Sequence, residues 1–340
     1  MNTGTCPVKR TILTGAGFTK NFGGYLAHEI NDKVLSDPNI VRCKKLHDLI
    51  QNEFNYEDAL SVVKQPDYTK EEVQFLRQAV KHVYSRQDVE VTNWNADSQN
   101  VGKFKSPAIL TNFIMRAFRF EGSQDSAYMF TTNQDVFVEA CIRIDHKHQF
   151  RPISVPGISS GDWGIPAGYH PRSGFNRIQV EDTTSNVNAI DFRQKVNYIK
   201  LHGSANWDTH DGDLLVIGRS KEDDIAASPL LKTYHEKFSS VCNLQDMRML
   251  AVGYGFCDGH INRRIADGIK NGLKLWVWDV MSRQDWMRKM RSSDVQNGIE
   301  ILGAVEGYMS DDFSRIFYGN SISKFDFDLT LDRFLNPEHF

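Results

Sequence analysis

Two short motifs place polar side chains directly after apolar segments, where they could carry out chemistry. TTNQD (131–135) contains Asn133 and Asp135, whose side chains can hold water or hydroxyl groups. KLHG contains His202, and histidine is the side chain whose unperturbed pKa suits proton transfer near neutral pH. Both motifs also have structural interpretations, because Asn and Asp often cap helices and a lone histidine is more often structural than catalytic.

The segment TILTGAGFTK contains a glycine turn that could bind phosphate. Gly15, Ala16 and Gly17 follow an apolar segment, and Thr19 comes two residues later. Glycines let the backbone approach a pyrophosphate, and the N-terminus of a following helix favours anions. The turn departs from the dinucleotide-binding pattern, since Lys20 occupies the position of the third glycine. A plain strand-to-helix turn therefore remains an alternative.

A second glycine-rich turn lies in LAVGYGFCDGHIN, where Gly253 and Tyr254 follow another apolar segment. It could hold the phosphates or adenosine of a nucleotide, or it could be a connection in which Asp258 caps the next helix. Asp279 ends the segment LWVWD, and an acid at the end of a strand can accept hydrogen bonds from ribose hydroxyls. These positions are typical of ligand contacts in open α/β sheets, at the carboxyl ends of strands.

The composition of the chain is ordinary for a globular protein and gives no overall nucleic-acid-binding charge. Of the 340 residues, 40% are hydrophobic and 24% are charged, and the formal net charge is −3. The sequence has no signal-peptide pattern and no apolar stretch of membrane-spanning length, which predicts a cytoplasmic protein. The five cysteines include no C-x-x-C pair, so we expect neither disulfides nor a metal such as structural zinc.

Apolar segments of strand length alternate with helical patterns along the chain. This alternation predicts a Rossmann-like α/β fold, in which a parallel sheet carries helices on both faces. The expected strands are 10–14, 127–132, 197–202, 213–217, 248–253 and 274–279. The expected helices are about 40–54, 70–86, 107–120, 134–144, 229–241, 260–271 and 283–291, with Thr69 and Glu72 in capping-box spacing.

The chain is interpreted as a single catalytic domain (1–340) that carries three additions. Residues 36–120 are predicted to be a mostly helical insertion. Residues 151–175 contain four prolines and five glycines, which predicts a long loop of the kind that serves as a lid, binding loop or partner contact. Residues 320–340 form a C-terminal extension in which apolar and acidic residues alternate as in an edge strand.

Taken in chain order, the motifs GAGFT, TTNQD, KLHGS and VGYGFCDGHIN resemble those of the sirtuin-like NAD-binding family. The resemblance is greatest to the family's bacterial branch of NAD-consuming defence proteins. It runs from residue 10 to about residue 280 and rests on short motifs separated by non-matching sequence. The resemblance implies a Rossmann-like fold that takes NAD+ as a substrate rather than as a lasting cofactor.

The resemblance also implies roles for individual residues. In the family, the GAG turn holds the NAD+ pyrophosphate, the T-x-N-x-D motif lines the nicotinamide-ribose pocket and the histidine of H-G is the catalytic base. The second glycine turn lies near the adenosine ribose. Carried over motif by motif, the binding residues are Gly15, Ala16, Gly17, Thr19, Gly253 and Tyr254, with a looser match at Asp279, and the catalytic residues are Asn133, Asp135 and His202.

Three departures from protein-deacylating sirtuins indicate hydrolysis of NAD+ rather than deacylation. The GAG turn is followed by KNFGGYLAHEI, without the GIPDFR pattern. Only Cys242 occupies the region where deacylases carry a four-cysteine zinc module, and 69 residues separate Asn133 from His202, more than is typical of deacylases. We therefore expect an NAD+ glycohydrolase that releases nicotinamide and ADP-ribose. An atypical NAD-dependent deacylase or ADP-ribosyltransferase and a non-catalytic nucleotide-sensing scaffold remain alternatives.

The resemblance further implies a role in bacterial antiphage defence, by NAD+ depletion in abortive infection. Uncontrolled cleavage of NAD+ would be toxic, and relatives in this branch are triggered through an appended domain or a separate partner. About 60 residues follow Asp279, which leaves little room for a sensor. We therefore expect a homo-oligomer or a complex with a separate regulator, such as a HerA-like ATPase or a short Argonaute.

Overall fold

The computed structural model describes residues 9–53, 55–91, 108–118, 126–144, 153–158, 163–165, 175–194, 196–312, 317–318 and 321–322. The strands are β1 Arg10–Thr14, β2 Ala127–Thr131, β3 Ile153–Ser154, β4 Ile178–Gln179, β5 Val196–Lys200, β6 Gly203–Thr209, β7 Gly212–Leu215, β8 Arg248–Val252, β9 Lys274–Trp278, β10 Val305–Met309, β11 Phe317–Tyr318 and β12 Ser321–Ile322. The helices are α1 Ala16–Lys20, α2 Ala27–Leu35, α3 Pro38–Arg42, α4 Lys44–Glu53, α5 Tyr56–Val62, α6 Lys70–Val91, α7 Ala108–Phe118, α8 Phe137–Ile144, α9 Thr184–Val187, α10 Lys221–Ala227, α11 Pro229–Cys242, α12 Gly259–Lys270, α13 Arg283–Met290 and α14 Gly298–Gly303.

A seven-stranded parallel sheet forms the centre of the fold, in the order β10-β9-β8-β1-β2-β5-β3. Its middle strands read RTILT, AYMFT, VNYIK and RMLAV, and nearly all of their residues are buried. Strands of this kind must be covered on both faces, and helices pack around the sheet to do so. The predicted Rossmann-like α/β fold is confirmed.

The order of the strands reverses at β1. The chain places β2 and β5 on one side of β1 and then returns to add β8, β9 and β10 on the other side. In open parallel sheets such a reversal leaves a crevice at the carboxyl ends of the two strands involved, and ligands bind there. The turns after β1 and β8, which contain Gly15 and Gly253, flank this point.

The elements differ from those predicted in several places. The expected helix 40–54 is broken into α3 and α4 because Cys43, with φ −100° and ψ 86°, leaves the helical conformation. The segment 213–217 does not join the parallel sheet, since β7 pairs antiparallel with β6 in a separate sheet that also contains β4. Only two residues separate β6 from β7, and parallel strands need a much longer connection. Strands β3, β4, β6, β10, β11 and β12 were not predicted.

Helices α2 to α6 share a hydrophobic cluster that is separate from the core of the sheet. Val34, Ile40, Leu46, Ile50 and Leu76 are fully buried in it. At the start of α6, Glu72 N–H donates to Thr69 Oγ1 at 3.2 Å and Thr69 N–H donates to Glu72 Oε2 at 2.7 Å, so the predicted capping box is present. Helix α7 instead packs in the core of the sheet.

Parts of the three predicted additions lie outside the described residues. These parts are residues 54, 92–107 and 119–120 of the insertion, 151–152, 159–162 and 166–174 of the Pro/Gly-rich segment, and 320 and 323–340 of the C-terminal extension. The described part of the Pro/Gly-rich segment contributes β3, which pairs with β5 at the edge of the sheet. Within the described ranges, no helix is long and apolar enough to cross a membrane.

Candidate functional site

The predicted site residues follow the carboxyl ends of five neighbouring strands of the sheet. Asp279 follows β9, Gly253 follows β8 and Gly15 follows β1. Asn133 lies two residues after β2, and His202 lies two residues after β5. Because all these strands are parallel, their carboxyl ends lie on the same side of the sheet, and open α/β sheets bind ligands on that side.

The two glycine turns pack directly against each other. Gly15 N–H donates to the Val252 carbonyl at 3.2 Å, and Gly17 N–H donates to the Gly253 carbonyl at 2.9 Å. A Cβ at Gly17 would lie 2.9 Å from Gly253 Cα, and a Cβ at Gly253 would lie 2.2 Å from Phe18 N. Gly253 also has a φ of +58°, in the left-handed region. Glycine at these turns is therefore required by backbone packing, and two of the three GAG amides already bind within the protein.

A buried set of hydrogen bonds joins the GAG turn to Asn133. Asn133 Nδ2 donates to the Gly15 carbonyl at 3.0 Å and to Thr19 Oγ1 at 2.9 Å. Thr19 Oγ1 in turn donates to Asp135 Oδ2 at 3.0 Å. Both amide protons of Asn133 are thus used, and no described residue donates to its Oδ1. Asn133 is thus held in place, with Oδ1 as an acceptor that the described part of the chain leaves available.

The carboxylate of Asp135 is engaged inside the protein. Its Oδ2 also accepts from Gln87 Nε2 at 3.3 Å, and its Oδ1 accepts from Phe137 N–H at 3.1 Å, at the start of α8. Burial raises the pKa of Asp135 and of the neighbouring Glu139, and the Lys200 ammonium opposes the rise in both. Lys200 lies 2.8 Å from Glu139 Oε1 and also donates to the Asp135 carbonyl. In this arrangement Asp135 positions Thr19, and through it Asn133.

His202 lies in the turn between β5 and β6 and is 1% exposed. Its Nε2 is 3.0 Å from Nε2 of His260. Burial lowers the pKa of His202 to about 3 and that of His260 to about 4, although the nearby Asp258 carboxylate raises both. Both imidazoles are therefore neutral near pH 7.

The bond between the two rings requires one donor and one acceptor. A neutral imidazole carries a single N–H, so in the 3.0 Å contact one Nε2 donates its proton to the lone pair of the other Nε2.

Asp258, His260, Lys221 and Glu57 also surround the site, and the sequence had not identified them as functional residues. Asp258 stands at the N-cap of α12, but its side chain makes no capping hydrogen bond. Lys221 Nζ instead bridges Asp258 Oδ1 and Glu57 Oε2, each at 2.9 Å. The sequence did contain one indication of these residues, the DGH motif in the second glycine turn. Its Asp258 and His260 lie on either side of the first residue of a helix that follows a strand.

The polar side-chain atoms of Tyr254 and Asp279 form hydrogen bonds within the protein. The Tyr254 ring is buried, and its hydroxyl donates to Asn262 Oδ1 at 3.0 Å. Asp279 Oδ1 accepts from Met281 N–H at 2.8 Å. Tyr254 thus fixes the loop that leads into α12, and Asp279 shapes the turn after β9.

Comparison with known proteins adds no relative to this picture. No protein-family model matches the chain, and no similar curated protein is found. The sirtuin-like resemblance therefore stays a prediction from the motifs.

Proposed function

We propose that the protein is an NAD+ glycohydrolase in which Asn133 and His202 direct water onto the nicotinamide ribose. The observation that carries this proposal is the placement of the two side chains at the carboxyl ends of the neighbouring strands β2 and β5. Strand β2 is next to β1, where the strand order reverses and a parallel sheet binds its ligand, and β5 is next to β2.

The chemistry asks for a base and for fixed polar groups. Nicotinamide is a cationic leaving group that departs as a neutral amide with the electron pair of the C1′–N bond, so no general acid is needed. Positive charge develops on the ribose, water forms the new C1′–O bond, and one proton is released. Nicotinamide, ADP-ribose and a proton are the products. The protein therefore has to supply orientation, electrostatic support and a proton acceptor.

Asn133 supplies the orientation. Its amide group is held by Gly15 and Thr19, so the direction of its free Oδ1 is fixed. This oxygen accepts a hydrogen bond from the attacking water or from a ribose hydroxyl. Asp135 acts one step further back, because it fixes the hydroxyl of Thr19.

His202 supplies the proton acceptor. Its Nε2 is hydrogen-bonded to Nε2 of His260 at 3.0 Å. His260 must turn away when NAD+ enters, since the base needs a lone pair at Nε2 for the water or hydroxyl proton. The carboxylate of Asp258 then stabilises the imidazolium that forms, because its charge already raises the pKa of both rings.

The glycine turns contribute shape rather than a full set of phosphate donors. The backbone N–H groups of Gly15 and Gly17 donate hydrogen bonds to carbonyls at the end of β8, whereas the N–H of Ala16 makes no such bond. The pyrophosphate of NAD+ is assigned to the crevice beside β1 and β8 on the basis of the strand order.

Product analysis with matched variants tests the proposal. Purified protein is incubated with NAD+, and cellular NAD+ is measured on expression, because we propose that the chain depletes NAD+ in antiphage defence together with a partner. We expect equimolar nicotinamide and ADP-ribose, and we expect His202→Ala and Asn133→Ala each to lower the rate by at least about 100-fold. His210→Ala, at a fully exposed histidine, should have no effect. NAD+ cleavage that survives both site substitutions would overturn the mechanism, and turnover that depends on an acylated peptide would indicate deacylation.

A further inference from the structure

We propose that His202, His260 and Asp258 form a site for a divalent transition metal, best suited to zinc, and that the bound metal holds the enzyme inactive. The binding of the metal stands on the geometry of the three side chains. The inhibition rests on the proposed function, since it assumes that His202 is the base.

The distances within the cluster are close to those between ligands of one metal ion. One ligand atom from each residue lies within 4.8 Å of the other two, and the two Nε2 atoms are 3.0 Å apart. With zinc–nitrogen bonds of about 2.0 Å, ligands of a tetrahedral centre are about 3.3 Å apart. The two imidazoles are thus nearly at ligand spacing, and only the carboxylate has to approach.

The surroundings of the cluster orient the ligands as metal sites do. Lys221 bonds Oδ1 of Asp258, so Oδ2 can serve as the ligand. Glu57 pairs with Lys221 and offsets its charge.

The donor set selects among cations. Two imidazoles and one carboxylate with a fourth position open to water are typical of zinc, whereas magnesium and calcium prefer oxygen ligands. A third histidine, His235, is close by, with its ring centroid 5.4 Å from that of His260. Its Nε2 donates to the Leu201 carbonyl at 2.8 Å, and His235 is not among the residues whose ligand atoms lie within 4.8 Å of one another.

Binding of the metal moves a proton within the histidine pair and blocks the base. Without metal, one of the two Nε2 atoms donates a proton to the other. With metal, both Nε2 atoms supply lone pairs, so the ring that was the donor must carry its proton on Nδ1, and its net charge does not change. His202 then has no lone pair left for water or ribose. NAD+ hydrolysis stops until the metal leaves.

Metal binding is measured first, without NAD+. The full chain is used after removal of any affinity tag, in a Cys257→Ser background, because an exposed thiol such as that of Cys257 can bind zinc on its own. We expect equilibrium dialysis to give one zinc per chain and cobalt to give the intense visible absorption of a four-coordinate site. His260→Ala and Asp258→Asn should each weaken binding by at least about 100-fold, whereas His210→Ala should bind as the parent does. Unchanged binding in both site variants, or no saturable binding in the parent, would overturn the proposal.

A second measurement does not depend on how the variants fold. In the parent chain labelled with ¹⁵N-histidine, zinc should move the proton of one imidazole from Nε2 to Nδ1, and chelation should reverse the change. Zinc should also inhibit NAD+ cleavage by the parent, with recovery after chelation. Metal binding with the tautomer switch but no NAD+ cleavage under any condition would leave the metal site standing and overturn the proposed function. NAD+ cleavage in a protein that shows no tautomer switch would overturn the metal site and leave the proposed function standing.

Discussion

Replacement of Gly253 by alanine tests how the two glycine turns are built. A residue other than glycine at φ +58° is strained by about 1–2 kcal/mol. The added Cβ would lie 2.2 Å from Phe18 N and 2.4 Å from the Gly17 carbonyl carbon, and both contacts are with backbone atoms. The turns would have to separate by roughly 1 Å, and overpacking of this kind costs about 1–3 kcal/mol. We therefore expect Gly253→Ala to lower the free energy of unfolding by roughly 2–5 kcal/mol.

The matched control is Gly272→Ala. Gly272 also has a positive φ, +96°, but a Cβ there would meet nothing within 4 Å. This variant has the conformational strain without the steric overlap, so its free energy of unfolding should fall by only about 1–2 kcal/mol. Urea unfolding followed by tryptophan fluorescence and by circular dichroism gives both losses, provided that the m-values match. Equal losses in the two variants would refute the inference that the turns need glycine in order to pack together.

Two further predictions concern charged groups. Lys200→Met leaves Glu139 buried without its cation and should lower the free energy of unfolding by about 3–5 kcal/mol, with partial recovery when Glu139→Gln is added. In this variant burial raises the pKa of Glu139 further above its unfolded value of 4.5, so the folded state binds the proton more tightly than the unfolded state does. The loss in the free energy of unfolding should therefore shrink as the pH falls toward 4.5 and grow as the pH rises. Urea unfolding at about pH 5 and about pH 8 measures this difference. Arg177→Ala removes a partly exposed ion pair with Asp208, in which the arginine side chain is 41% exposed, and should change stability by about 1 kcal/mol or less in the same assay.

The central sheet could be predicted from the sequence because its strands are buried on both faces. Segments such as RTILT and RMLAV read as continuous apolar runs, and this local signal does not depend on which strand lies next to which. The β6–β7 hairpin also had a local signal, since an Asp-Gly pair favours hairpins, although the two loop residues are His210 and Asp211 and Gly212 begins β7. The break at Cys43 had no such signal, because no glycine or proline marks it.

The neighbours of His202 were harder to predict because they depend on strand order. His260 is 58 residues away in the chain, and the strand before it, β8, is separated from β5 by β1 and β2 in the sheet. Local patterns do not encode that order. The motif DGH favoured a helix cap at Asp258, but Lys221 pairs with the carboxylate instead.

The structure changes what the GAG turn contributes to the candidate site. If phosphate binding alone accounted for its glycines, the amides of Gly15 and Gly17 would be expected to face a ligand, but both donate to the end of β8. The turn reaches the site by another atom, the Gly15 carbonyl, which accepts a proton from the amide of Asn133 at 3.0 Å. A shift of this turn would therefore turn the free Oδ1 of Asn133 away from its place. Under the proposed function, substitutions in the turn should therefore lower the rate of NAD+ cleavage at saturating NAD+ as well as the affinity for NAD+.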